Sequence, residues 1–179
     1  DLTSSSNQPF QDSDRKVTII YNGEIYNYKE LKNIYFPKKK FKSSGDGEIL
    51  LHLYIKFGIG FIEKIKGMFS ICIIDEKFDK VFLVRDRFGI KPLYYCLTED
   101  CIRFSSEVKT LLDENTSISE QSLGQYLNYQ FYLSEKTLAK KVFQVEPGCY
   151  LEKDNTTLKD RKGKYFELEV LKEKRTEKN

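Results

Sequence analysis

A chain of 179 residues is one domain's worth, long enough to bury a core of its own. Its 30 basic and 27 acidic residues leave a formal net charge of only +3, which argues against nucleic acid or a membrane surface as main partner. The single histidine, His52, and four cysteines without C-x-x-C spacing argue against a histidine-centred triad and a structural zinc site.

The first 14 residues, DLTSSSNQPFQDSD, are polar and read as loop. Lys16 to Tyr21 (KVTIIY) follows as a strand rich in β-branched residues, and stops at the turn-prone pair Asn22-Gly23. Tyr28 to Tyr35 has the pattern of a short helix, and Lys38, Lys39 and Lys40 that of a solvated loop. Asp46 to Phe57 has helical length, with Leu50, Leu53, Tyr54 and Phe57 on one stripe. Asp46 and Glu48 suit the positive end of its dipole, and His52 within it reads as a core or surface residue.

Met68 to Ile74 and Val81 to Arg85 read as two strands, apolar enough to be covered on both faces. Leu93 to Leu97 and Ile102 to Ser105 form a further hairpin. Glu107 to Leu112 and Ser119 to Tyr129 are helical, the second with Ser119 as its cap. Cys149 to Glu152 is a strand, with another expected around Tyr165. After Leu168 the sequence is too charged to pack, so 1–168 reads as domain and 169–179 as linker.

Strands in meander order with helices set apart make the chain α+β. No run approaches the ~20 apolar residues of a membrane span. Cys72 and Cys96 lie in apolar runs as reduced thiols, and with no visible export signal they point to the cytoplasm. GDG at 45–47 and GIG at 58–60 match no phosphate-binding loop, so neither metal nor nucleotide cofactor is expected in this chain.

Asn22-Gly23-Glu24 ends a strand, where a backbone N–H and an amide side chain can converge on one point. Two such donors suit a carbonyl that gains negative charge during acyl transfer, and Glu24 suits a cationic group on the same substrate. On the residues alone, a hairpin turn with a solvated glutamate is the preferred reading. Asp46 reads equally as a helix N-cap, Arg85-Asp86-Arg87 as an ion pair fixing a turn, and Glu107 as the anchor of a helix start.

The segments YNGEIYNYKEL (21–31), SGDGEILLHLY (44–54), GMFSICIID (67–75), VRDRFGIKPLYY (84–95) and FSSEVKTLL (104–112) occur in an order that resembles the class II glutamine amidotransferase domain of asparagine synthetases. VFQVEPGCYL (142–151) resembles that family's next segment less tightly. The resemblance implies a four-layer αββα sandwich of antiparallel sheets, of the N-terminal-nucleophile hydrolase type. It implies an N-terminal cysteine as nucleophile, with its own α-amine as base, releasing ammonia from glutamine. The Asn22 side chain and Gly23 N–H would form the oxyanion hole, and Glu24 and Asp46 would hold the α-amino end of glutamine. Met68 and Ile90 would line an ammonia passage, with core packing as their alternative reading. A synthetase domain using ATP and Mg, and a homodimer, are further implications.

The resemblance departs at the front. Family members begin Cys-Gly-Ile, whereas Asp1-Leu2 resembles a point well inside the domain, and no internal cysteine has a free α-amine. The expectation is a fragment lacking its N-terminal strands and catalytic cysteine, inactive alone and poorly stable, with sheet edges exposed. Two other readings stay open: a non-catalytic glutamine-binding or scaffold module, and the amidotransferase domain of an enzyme with another ammonia acceptor.

Overall fold

The computed structural model describes residues 7–98, 101–157 and 159–168. Two antiparallel sheets lie face to face. The larger has the order β1-β2-β3-β4-β8-β9, built from Phe10–Asp12, Val17–Ile25, Gly67–Asp75, Lys80–Arg85, Cys149–Asp154 and Lys159–Lys164. The smaller has the order β6-β5-β7, from Ile102–Ser105, Tyr94–Leu97 and Phe143–Gln144. Helices α1 (Tyr28–Tyr35) and α2 (Glu48–Phe57), with a 3-10 turn at Gly58–Glu63, pack on the outer face of the large sheet.

Strand β3 explains the layering. Its side chains alternate, and both faces are buried. Phe69, Ile71 and Ile73 pack toward the helices with Ile49, Leu50 and Leu53, each no more than 1% exposed. Cys72 points the other way, joining Leu83 and Leu151 against Leu93, Tyr95 and Val145. Burying each aliphatic side chain stabilises by about 1.5–3 kcal/mol, so β3 is held from both sides. On the far side, the 3-10 turn Val108–Leu111 packs on β5 and β6, with Leu111 buried. Helix α3 (Glu120–Tyr129) follows, capped by Ser119, whose Oγ accepts from Ser122 N at 3.3 Å.

The α+β class, helices at 28–35 and 120–129, and the strands expected at 68–74 and 81–85, observed as the paired Gly67–Asp75 and Lys80–Arg85, agree with the sequence reading. Several expectations are corrected. The first residues are not all loop, because Phe10 buries its ring and draws Phe10–Asp12 onto the edge of β2. The strand expected to stop at Asn22-Gly23 runs on to Ile25, in unbroken register with β3 as far as Ile25 opposite Gly67. Glu107 starts a 3-10 turn rather than a helix, and its carboxylate pairs with Lys109 at 2.7 Å instead of capping. The strand expected around Tyr165 precedes it, as the charged Lys159–Lys164. That composition suits an outer strand, where lysines discourage further pairing. The linker 169–179 lies outside the described residues.

Candidate active site

The site is built on the edge of β2. Alternation along an extended strand turns the N–H groups of Tyr21, Gly23 and Ile25 to one edge. The Gln8 side-chain amide occupies the first position beyond β1, its Oε1 accepting from Tyr21 N and its Nε2 donating to Tyr21 O, each at 2.7 Å. Asp46 occupies the third, its Oδ2 accepting from Ile25 N at 2.7 Å. Strand alternation puts the Gly23 N–H on the same edge, between those of Tyr21 and Ile25.

Gly23 is glycine for two reasons. Its φ is +150°, a conformation that side chains rarely adopt, and a Cβ built there would lie 2.0 Å from Met68 O. A residue that reads as turn punctuation therefore serves close strand contact instead. Its neighbours Asn22 and Glu24 are exposed on the face turned toward the small sheet, opposite Ser70 and Met68. A cleft of about 240 Å³ opens there, lined by Asn22, Ile20, Ser70, Phe104 and Ser105 among others.

Asp46 is not the N-cap of α2. That place belongs to Gly47, and the carboxylate reaches back instead to Ile25 N and to Tyr21 Oη, which donates to Oδ1 at 2.7 Å. Burial, then the bond to Asp46, raises the Tyr21 phenol above its ordinary value and keeps it a neutral donor. Lys32 from α1 steadies the loop by donating to Gly45 O at 2.9 Å. Glu48, at the start of α2, does not cap it either but holds the preceding loop, accepting from Lys42 N and Ser43 N.

The Arg85-Asp86-Arg87 segment fixes a turn, but not through an ion pair between Arg85 and Asp86, which is absent among the described residues. Asp86 is fully buried and accepts from the N–H groups of Phe69, Phe88, Ile90 and Lys91 at 2.9–3.2 Å. Arg85 donates to the carbonyls of Lys91, Gly89 and Val145. Phe69 is the partner of Gly23 across the sheet, so Asp86 ties this loop to the site strand. Met68 is half-buried and Ile90 is 56% exposed, so neither belongs to the buried core. Tyr21 as a partner of Asp46 escaped sequence reasoning, as did the four N–H groups through which Asp86 fixes its turn. The buried aspartate's only signal is an acid directly after an apolar strand and before Phe88-Gly89.

Burial pushes the Cys72 thiol up to about 12 and raises Cys149, so neither is an activated nucleophile. Among the described residues, no three His, Cys, Asp or Glu are grouped to hold a metal, and no helix is long and apolar enough to cross a membrane.

A family model described as a glutamine amidotransferase domain matches residues 1–166. The chain belongs to that family. Asparagine synthetase [glutamine-hydrolyzing] 2 of Bacillus subtilis is 38% identical over 178 residues, covering 92% of this chain and 23% of the relative. Putative asparagine synthetase [glutamine-hydrolyzing] 2 of Methanocaldococcus jannaschii is 34% identical, covering 85% of this chain and 30% of the relative. Glutamine phosphoribosylpyrophosphate amidotransferase from B. subtilis superposes with a TM-score of 0.60 at 20% identity, covering 89% of this chain and 32% of that one. That likeness shows the fold, the sandwich of the N-terminal-nucleophile amidotransferases. The chain thus spans about a quarter of the length of such curated relatives.

Proposed function

We propose that this domain binds glutamine and belongs to the ammonia-supplying half of an asparagine synthetase-like enzyme. The observation that carries the reading is the Asp46 carboxylate, fixed by Ile25 N–H and Tyr21 Oη on the strand that also holds Asn22, Gly23 and Glu24. An anion held next to an amide donor fits a substrate with an ammonium group at one end and a polarisable carbonyl at the other. Asp46 and Glu24 bind the α-amino group. The Gly23 N–H and Asn22 amide receive the oxygen of the side-chain carboxamide as it becomes an oxyanion.

The attacking thiolate comes from an N-terminal cysteine that these 179 residues do not supply. Attack on the carboxamide carbon forms a thioester and expels ammonia once the leaving nitrogen is protonated. Water then cleaves the thioester, giving glutamate and regenerating the thiol. Met68 and Ile90 border the exit of ammonia toward a synthetase domain that uses ATP and Mg.

Isothermal calorimetry with glutamine tests the assignment. Saturable binding is expected, weakened in Asp46→Ala; unchanged binding in that variant would remove the role given to Asp46. Glutamine turnover by the unmodified chain would overturn the assignment of the nucleophile.

A further inference from the structure

A second cavity opens beside the edge strand β1 and shares no lining residue with the cleft at Asn22. It measures about 580 Å³, within the range of small-molecule sites. Three segments wall it: residues 7–14, the loop before α2, and the first turns of α2 itself. The buried Phe10 and Leu51 give it an apolar part.

The cavity also carries charges of both signs that do not meet. Lys39 and Lys42 come from the loop, and Asp12 and Asp14 from β1 and the turn after it. Among the described residues, neither lysine ammonium forms an ion pair or hydrogen bond, and nor does the Asp14 carboxylate. Asp12 uses only Oδ1, which accepts from Arg15 N at 3.0 Å. The remaining carboxylate, Glu48, is already engaged by Lys42 N, Ser43 N and His52 Nε2. His52 feels both signs: after burial, Lys39 lowers its pKa further while Asp12 raises it. Glu48 also holds the backbone of Lys42 in place, so that wall is ordered before any ligand arrives.

We propose that this cavity binds a free α-amino acid with an apolar side chain. Its carboxylate lies between Lys39 and Lys42, its ammonium between Asp12 and Asp14, and its side chain against Leu51 and Phe10. A simple anion would bring like charge to the aspartates, and a simple cation would bring it to the lysines. A zwitterion gives both walls charge-assisted hydrogen bonds at once. The apolar part favours a hydrocarbon side chain over the carboxamide proposed for the β2 site, because a buried amide needs partners that Leu51 and Phe10 lack.

Titration of the isotopically labelled chain with L-leucine, followed by backbone amide NMR, tests the proposal. Saturable shifts are expected at 10–14, 39–42 and 48–52. They should persist in Asp46→Ala, so this site and the glutamine site stand or fall separately. Leucinamide, which lacks the carboxylate, and isocaproate, which lacks the ammonium, should each bind at least tenfold more weakly. Lys42→Gln should weaken L-leucine at least fivefold, with the exposed Lys39→Gln as the second variant if the first misfolds. Asp12→Asn combined with Asp14→Asn should abolish the preference for L-leucine over isocaproate, which general destabilisation would not do. Three results would overturn the proposal: no saturable shift with L-leucine well into the millimolar range, saturable shifts confined to another face, or equal binding of leucinamide.

Discussion

Asp46 and Ile25 are joined by a 2.7 Å hydrogen bond from a backbone N–H to a carboxylate 21 residues farther along the chain. The bond brings the loop before α2 against the edge of β2, two residues past Gly23. Without it, the anion and the Gly23 amide would belong to separate elements. Replacing Asp46 by Asn removes the charge and weakens both of its bonds. The expected loss is about 1–3 kcal/mol of stability, read from urea unfolding, because hydrogen bonds to charged groups are worth that much. Glutamine affinity should fall more steeply than stability.

Gly23→Ala tests the strand contact. Its Cβ would meet Met68 O at 2.0 Å and would have to adopt φ near +150°. Clash and backbone strain together are expected to cost upward of about 3 kcal/mol. Urea denaturation should show the loss, with hydrogen exchange accelerated first in 22–25 and the facing 67–70.

Asp86→Ala leaves four N–H groups without their carboxylate, that of Phe69 buried and those of Phe88, Ile90 and Lys91 partly buried. Each orphaned buried donor costs about 1–3 kcal/mol before relaxation. The expected outcome is loss of most of the stability, or of the folded state, seen as a collapsed Tm. Asp86→Asn, which keeps one acceptor oxygen, should recover part of it.

How much of this was legible in the sequence differs by element. β3 and β4 were plain because both faces are apolar, and α2 because its stripe repeats at helical spacing. β1 and β9 were not, since one buries a single ring and the other is a charged outer strand. Asn22-Gly23 looked like a turn because the chain cannot announce that Met68 O will lie against Gly23. Asp46 looked like a cap because its true partners, Tyr21 and Ile25, are distant in sequence. The site residues were legible only through family resemblance; local chemistry pointed to blander roles for them.

Acid should weaken the fold in two stages. Burial lowers the pKa of His52 below its ordinary 6.5 despite the neighbouring Glu48, so the unfolded chain binds more protons there. Stability from this group is fully present above 6.5 and is lost as pH falls toward the lower folded value. Burial would raise Glu48, but the N–H groups of Ser43 and Lys42, with His52, more than offset it and bring it below 4.5. Its contribution is present above 4.5 and is lost as pH falls through the folded value. Tm measured against pH should therefore drop below 6.5 and again below 4.5. His52→Phe, beside Phe36 and Phe41, should abolish the first drop and, because His52 helps to lower Glu48, shrink the second.

On the function proposed above, glutamine is held at Asn22, Gly23 and Glu24 of β2 with Asp46 beside that strand. Titration of the isotopically labelled chain with L-glutamine, followed by backbone amide NMR, tests it most directly. Saturable shifts concentrated at Gly23, Glu24 and Ile25, and lost in Asp46→Ala with the remaining spectrum intact, are the predicted result. Saturable shifts confined to another face, or no saturable shift at concentrations of glutamine well into the millimolar range, would contradict it.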